Sequence, residues 1–394
     1  MPLPYPTNPN LSAVPVYQPG RPIEEVAREL GRPARGIIKM ASNENPLGPS
    51  PAALAALKGA ARQLHLYPDG NAFYLKQRLA AKLAVDPANL ILGNGSNEIL
   101  EFLAHAVMGP GVDVVMSQYC FLVYPLVARL IGANPIVVPA RQYGHDLPAM
   151  LRAITPRTKL IFVANPNNPT GTLAAPEEVR QFLDQTPPQV VIAMDQAYVE
   201  FLDEPQDLLP LIRRGEKPNL ILLRTFSKIY GLAGLRLGYG IGHRDFVAAL
   251  EKIRQPFNVN SLAQAGGLAA LDDEAHTQKT RQNNAEGLKF LEDALREMGV
   301  EFVPSSANFV LLRVGEARRV FTELQAQGII VRPVENYGLP EWLRISVGTP
   351  PQNRRCLRAL QKALRKKPCP AQFMMPGWHG RLACAAGPLA RRKL

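Results

Sequence analysis

Lys228 lies in Arg224-Thr225-Phe226-Ser227-Lys228-Ile229-Tyr230-Gly231-Leu232-Ala233-Gly234-Leu235-Arg236. This block combines an amine able to form a Schiff base, two hydroxyls and a nearby guanidinium. An amine that attacks carbonyl carbon must be partly neutral, so it needs desolvating or electropositive surroundings. The hydroxyls of Thr225 and Ser227, with Arg236, are the donors that a phosphate ester beside that amine requires. Three further segments carry polar groups of the same kind. Gly93-Asn94-Gly95-Ser96-Asn97 offers close backbone approach and a helix start that can hold phosphate; a plain helix cap would use the same residues. Asn165-Pro166-Asn167-Asn168-Pro169-Thr170-Gly171 makes a rigid turn that presents the Asn168 amide, or serves only as a turn. Asp195, in Met194-Asp195-Gln196-Ala197-Tyr198-Val199-Glu200-Phe201, ends an apolar run. A carboxylate buried there needs a cation or donor, and a protonated ring nitrogen is one such partner; a solvated turn aspartate is the alternative.

These residues require elements to position them. The apolar runs Leu90–Leu92, Val112–Met116, Pro135–Val138, Leu160–Ala164, Val190–Met194 and Leu220–Leu223 are strand candidates, and helical patterns at Asn97–Val107, Tyr124–Ile131 and Pro176–Asp184 fall between them. The alternation predicts an α/β fold with a mostly parallel sheet sandwiched by helices. Ligands of such sheets gather at the strands' carboxyl ends, where the polar segments stand. After Phe257 the pattern changes to a long helical region (Ser261–Met298), then Phe309–Leu312, a helix (Ala317–Gln327), Ile329–Val331, Leu343–Val347 and a last helix (Gln352–Leu364). We therefore expect an N-terminal arm over 1–40 joining a smaller domain, a large domain over 41–260, a smaller α+β domain over 261–366, and a basic, unstructured tail over 367–394.

Composition narrows the function classes. The chain has 394 residues, 46% hydrophobic and 20% charged, a globular balance with room for a large and a smaller domain. No apolar run reaches the length of a membrane span. Met1–Pro9 is proline-rich without a charged leader-like segment, which points to the cytoplasm. Cys120, Cys356, Cys369 and Cys384 show no CxxC spacing and the six histidines are scattered, so neither a disulfide framework nor a metal site is expected. The net charge of +12 invites a polyanion partner, but eight Lys or Arg residues and no acid fall within 361–394; subtracting these eight leaves +4 for the other 360 residues. A solvated basic extension explains the excess, and no nucleic-acid partner is expected.

Taken in order, these motifs resemble those of the fold-type I pyridoxal-phosphate aminotransferases of class I/II, and within them the histidinol-phosphate aminotransferases. Further matching segments are Ala41-Ser42-Asn43-Glu44-Asn45-Pro46-Leu47-Gly48, Tyr67-Pro68-Asp69-Gly70, Arg254–Asn260, Ala307-Asn308-Phe309 and Leu343-Arg344-Ile345-Ser346; the resemblance spans roughly Tyr17–Leu364. It implies pyridoxal 5'-phosphate as cofactor, with Lys228 as its covalent anchor and as the acid and base of the reaction. It further implies that Asp195 holds the pyridine nitrogen protonated, that Tyr198 and Asn168 contact the ring oxygen, and that Tyr119 stacks on the ring. Gly95, Ser96, Asn97, Thr225, Ser227 and Arg236 would hold the cofactor phosphate, joined by Tyr67 from a neighbouring subunit, which implies a homodimer. Tyr17, Asn43, Arg332 and Arg344 would bind substrate, the two arginines holding a phosphate dianion or the carboxylate of glutamate. A solvated strand-end arginine is the other reading of Arg332. The implied reaction is transamination between histidinol phosphate and 2-oxoglutarate in histidine biosynthesis. Rivals are an aromatic amino acid aminotransferase, a decarboxylase of a phosphorylated amino acid on the same fold, and a polyanion-binding regulator. Gln196 stands where the family often has glutamate, and the basic tail has no counterpart there.

Overall fold

The computed structural model describes residues 7–365. The tail expected over 367–394 lies outside the described residues. Near the N-terminus, helix Ile23–Leu30 precedes strand β1 (Ile38–Lys39). The large sheet follows: β2 (Leu90–Asn94), β3 (Asp113–Ser117), β4 (Asn134–Val138), β5 (Thr158–Ala164), β6 (Val191–Asp195), β7 (Leu220–Thr225) and β8 (Leu237–Gly242). A smaller set ends the chain: β9 (Phe302–Val303), β10 (Phe309–Arg313), β11 (Ile329–Ile330), β12 (Arg332–Pro333) and β13 (Trp342–Ser346).

The large sheet runs β2-β8-β7-β6-β5-β3-β4, with only β8 antiparallel to its neighbours. Alternation along each strand sends side chains to two covered faces. Leu90, Leu92, Ile192, Met194, Leu220 and Leu222 pack with one helical layer, which includes Leu75, Leu79, Phe182 and Ala263. Ile91, Val114, Met116, Phe162, Ile221 and Leu223 pack with the other, around Ile99, Leu103 and Tyr124. Six strands match the sequence expectation to within a few residues. β8 does not figure in it, because Gly238, Gly240 and Gly242 are poor strand residues. Gly238 has a tertiary reason: a Cβ there would stand 2.2 Å from the Ser96 amide nitrogen, so the glycine lets helix Ser96–Val107 start against the sheet.

In the smaller sheet the order is β12-β13-β10-β9, all antiparallel, while β1 pairs in parallel with β11. The arm thus completes the smaller domain, with Met40 in its core beside Leu295, Val310 and Leu343. The expected long helix divides into Ser261–Asp272 and Glu274–Glu297, where Asp273 caps the second by accepting from the His276 amide. The first of these buries Ala263, Ala270 and Leu271 in the large sheet's core. A division at 260/261 therefore assigns to the smaller domain a helix that packs with the large one. Its Gly267 explains the close fit, since a Cβ would lie 2.4 Å from a Leu237 methyl. Among the described residues no helix is long and apolar enough to cross a membrane, and no cluster of side chains could hold a metal ion.

Candidate active site

The carboxyl ends of β2, β5, β6 and β7 open on one cavity of about 290 Å³, roofed by the arm and the smaller sheet. Parallel strands end together, so loops far apart in sequence meet there. Ser96, Asn97, Asn168, Asp195, Tyr198, Thr225, Ser227, Lys228 and Arg236 line the cavity from the large domain, and Tyr17, Asn43, Arg332 and Arg344 from the other side.

Asp195 is 8% exposed. Its Oδ2 accepts from the Tyr124 hydroxyl at 2.7 Å and its Oδ1 from the Ala197 amide at 3.0 Å. Burial pushes the carboxyl above its ordinary range, and these two donors with the Lys228 charge pull it back. The Lys228 Nζ donates to the Ser42 carbonyl at 3.2 Å. Burial, then the Arg344 and Arg236 charges, bring its amine down from 10.5 to about 8. Near neutrality such an amine has a neutral fraction that attacks carbonyl carbon. Tyr198 OH, 2.8 Å from Asn43 Nδ2, accepts its hydrogen bond, and burial pushes the phenol up to about 12.

Asn43 locks the two domains over this centre. Its backbone is left-handed (φ 57°), a conformation that asparagine tolerates better than most residues. Its amide donates to Ser346 Oγ at 2.9 Å, Ser346 Oγ donates to its Oδ1 at 3.0 Å, and Asn308 Nδ2 donates to its carbonyl at 2.9 Å. On the other flank, Thr225 Oγ1 donates to Ser227 Oγ at 3.0 Å, and Ser96 opens a twelve-residue helix whose first N–H groups lack intrahelical acceptors. Gly95 (φ 80°) is the seat of Arg236 rather than a lining residue: a Cβ would stand 2.4 Å from Arg236 Nη2.

Register places Arg332 on β12 directly across from Arg344 on β13. Arg344 is 6% exposed; its Nη1 donates to Asn168 Oδ1, its Nη2 to the Ala41 carbonyl at 2.9 Å, and its buried Nε has no acceptor. Arg344 thereby fixes the Asn168 oxygen and leaves that amide's nitrogen as the donor. Arg332 Nη2 donates to the Gln18 carbonyl at 2.6 Å, and its guanidinium carbon lies 5.8 Å from the Tyr17 ring centre. Arg332 is thus a buried, arm-tethered group rather than a solvated strand end. Four cations (Lys228, Arg236, Arg332, Arg344) against two acids (Glu44, Asp195) make the cavity electropositive. Glu44 is in addition paired with Lys39 at 2.6 Å.

Besides Gly95, two expected residues lie off the cavity lining. Tyr119 does not line the cavity; its ring stacks 5.9 Å from that of Tyr143, at the edge of a core that includes Trp342. Phe121 lines the cavity instead, with its ring 5.7 Å edge-on from Tyr124. The chain Gln118-Tyr119-Cys120-Phe121 enters helix Val123–Ile131, and two residues of offset decide which aromatic faces inward. Tyr67 is 83% exposed and stacks on Phe257 at 4.8 Å, outside the cavity of its own chain. Tyr124 and Tyr337 line the cavity without having been expected there. In the sequence Tyr124 is one apolar position of an amphipathic helix, and Tyr337 one residue of a turn. Gln196 turns away from the cavity, its Oε1 accepting from Arg224 Nε at 3.0 Å.

Residues 35–360 match the family model for aminotransferase class I and II. Curated relatives include a histidinol-phosphate aminotransferase 2 of Ralstonia nicotianae, 53% identical over 89% of this chain and 95% of that protein. Another is the histidinol-phosphate aminotransferase of Akkermansia muciniphila, 47% identical over 88% of this chain and 96% of that protein. Among solved structures, the Sinorhizobium meliloti histidinol-phosphate aminotransferase in complex with pyridoxal-5'-phosphate superposes with a TM-score of 0.82. It is 30% identical and covers 91% of this chain and 97% of that one. With a partly neutral lysine, a buried aspartate and a phosphate-suited helix start around one cavity, the chain belongs to the aminotransferase class I and II family.

Proposed function

We propose that this protein is a pyridoxal-phosphate-dependent transaminase that moves an amino group between histidinol phosphate and 2-oxoglutarate, a step of histidine biosynthesis. The observation that carries the substrate reading is the Arg332–Arg344 pair, held side by side on adjacent strands and facing the same cavity as Lys228. Two guanidiniums suit a phosphate dianion, and one suffices for a carboxylate. The names of relatives 47–53% identical over most of their length support the same substrate, and the cofactor named in the Sinorhizobium structure supports the cofactor.

The residues present fit that cofactor. Ser96, Thr225, Ser227 and Arg236 would hold its phosphate, with no carboxylate among them. Asp195, whose carboxyl accepts from Tyr124 and the Ala197 amide, would hold a protonated ring nitrogen. Asn168 and Tyr198 would bond the ring oxygen, and Phe121 would cover a ring face. When bound, the cofactor supplies an electron sink for negative charge at the substrate α-carbon. Lys228 would anchor it and, when its amine is free, would hold and release a proton beside that carbon. Arg344 and Arg332 orient the substrate's far end, while Tyr17 and the Gln18 carbonyl bring the arm over it and exclude water. We further place the enzyme in the cytoplasm as a homodimer. Leu64, Leu66, Tyr67, Phe73, Tyr74 and Phe257 are exposed apolar side chains, with Tyr67 against Phe257 and Phe73 against Tyr74, and they support contact with a second copy, through which Tyr67 would reach the partner's cofactor phosphate.

Steady-state rates with histidinol phosphate, phenylalanine and tyrosine as amino donors to 2-oxoglutarate test the proposal. We expect strong preference for the phosphate ester. Arg332→Ala should lower kcat/KM for it by roughly 10- to 100-fold, as expected for a lost charge-assisted contact of about 1.5–3 kcal/mol, with little effect on the aromatic donors. Equal losses for every donor would remove the case for Arg332 as a phosphate ligand, and efficient use of phenylalanine or tyrosine would favour the aromatic reading.

A further inference from the structure

We propose that the Tyr337 hydroxyl is a third donor to the substrate's phosphate group and sets the preference for a phosphate ester over a carboxylate. The inference rests on the substrate reading above and extends it to a residue outside the arginine pair. Tyr337 ends the short turn Glu335–Tyr337 that follows Arg332 on β12, and Gly338 (φ 78°) then redirects the chain towards β13 and Arg344. The turn therefore sits between the two guanidinium-bearing strands. The ring is fixed by Val303, Leu311, Val334, Leu339 and Trp342, and the residue is 8% exposed. Its hydroxyl makes no hydrogen bond to any described residue, yet the side chain lines the cavity. The charged and phenolic groups that act on it are Arg344, Tyr17, Arg332 and Tyr198, all of them lining residues. Burial raises the phenol, so it remains a neutral donor at working pH.

With its ring buried and its side chain lining the cavity, this hydroxyl is uncommitted within the protein and is available to donate to a ligand seated there. The arginines already commit donors within the protein: Arg332 to Gln18, Arg344 to Asn168 and Ala41. Their remaining N–H groups can satisfy the two oxygens of a glutamate side-chain carboxylate. A phosphate ester presents three terminal oxygens, and the Tyr337 hydroxyl, facing the same cavity as the two guanidiniums, is a neutral donor free for the third.

The test uses the holoenzyme and its Tyr337→Phe variant, which keeps the buried ring. We measure kcat/KM for histidinol phosphate and for glutamate, and competitive inhibition by inorganic phosphate and by glutarate. The proposal expects about a tenfold loss for histidinol phosphate and a similar weakening of inhibition by phosphate, equivalent to about 1.4 kcal/mol. Glutamate turnover and glutarate inhibition should stay within about twofold. Unchanged phosphate inhibition, or equal losses for phosphate and dicarboxylate ligands, overturns it. The two readings fail separately: a wild-type enzyme with no preference for histidinol phosphate refutes the proposed substrate, whereas the phosphate-against-glutarate comparison judges Tyr337 alone.

Discussion

Replacing Lys228 by methionine in the cofactor-free protein should stabilise the fold at neutral pH, by an amount that disappears as the pH is raised. The structure holds the amine at about 8 against an ordinary 10.5, chiefly because it is buried and then because Arg344 and Arg236 repel its charge. Below pH 8 the amine is charged whether the chain is folded or not, and the folded state bears the full penalty. Between about 8 and 10.5 the folded protein has released the proton and the unfolded chain has not, so stability rises with pH. Above 10.5 both states are neutral and the penalty is gone. A fall of this size corresponds to about 3 kcal/mol, and the residue's partial exposure to the cavity screens it to about 1–3 kcal/mol. Urea denaturation of apoprotein, followed by circular dichroism at pH 7 and pH 10, measures the gap between wild type and variant. Any gain from methionine's own packing is independent of pH and subtracts out. A gap that is the same at both pH values would refute the account of Lys228 as a desolvated, electrostatically strained amine.

Other perturbations follow from the same geometry. Gly95→Ala puts a Cβ 2.4 Å from Arg236 Nη2 at a residue with φ 80°. Displacing the guanidinium should weaken binding of pyridoxal phosphate by roughly tenfold or more, a charge-assisted contact of about 1.5–3 kcal/mol; titration of the visible absorbance decides, and unchanged affinity would speak against Arg236 as a phosphate ligand. Tyr124→Phe removes the 2.7 Å donor to Asp195. Because the carboxyl then rises further above its ordinary value, it takes up its proton at a higher pH, and the acid limb of the kcat profile should move upward with kcat falling by roughly tenfold. An acid limb that stays in place contradicts the assigned role of that bond.

Much of the fold and part of the site are legible in the residues themselves. Alternating apolar runs such as Leu90–Leu92 and Leu220–Leu223 mark strands covered on both faces, because burial on two sides leaves no polar position to confuse the period. The polar segments that follow them, with Lys228, Asp195, Asn168 and Ser96, must then share one sheet edge, since parallel strands end on the same side. The glycine strand Leu237–Gly242 escapes such reading, because its justification is a helix start pressed against Gly238 from 142 residues earlier at Ser96.

The local sequence thus determined the element types, the motif-bearing loops and the chemistry available in each. Only the tertiary structure decided which side chains meet. Arg344 grips Asn168 from 176 residues away, Tyr124 donates to Asp195 from another element, Phe121 displaces Tyr119 from the cavity, and Tyr337 joins the arginines in its lining. Periodicity and turn chemistry act over a few residues, whereas hydrogen-bond partners and cavity walls depend on how separate elements pack. A two-residue offset entering a helix, or the register of two short strands, is enough to change them.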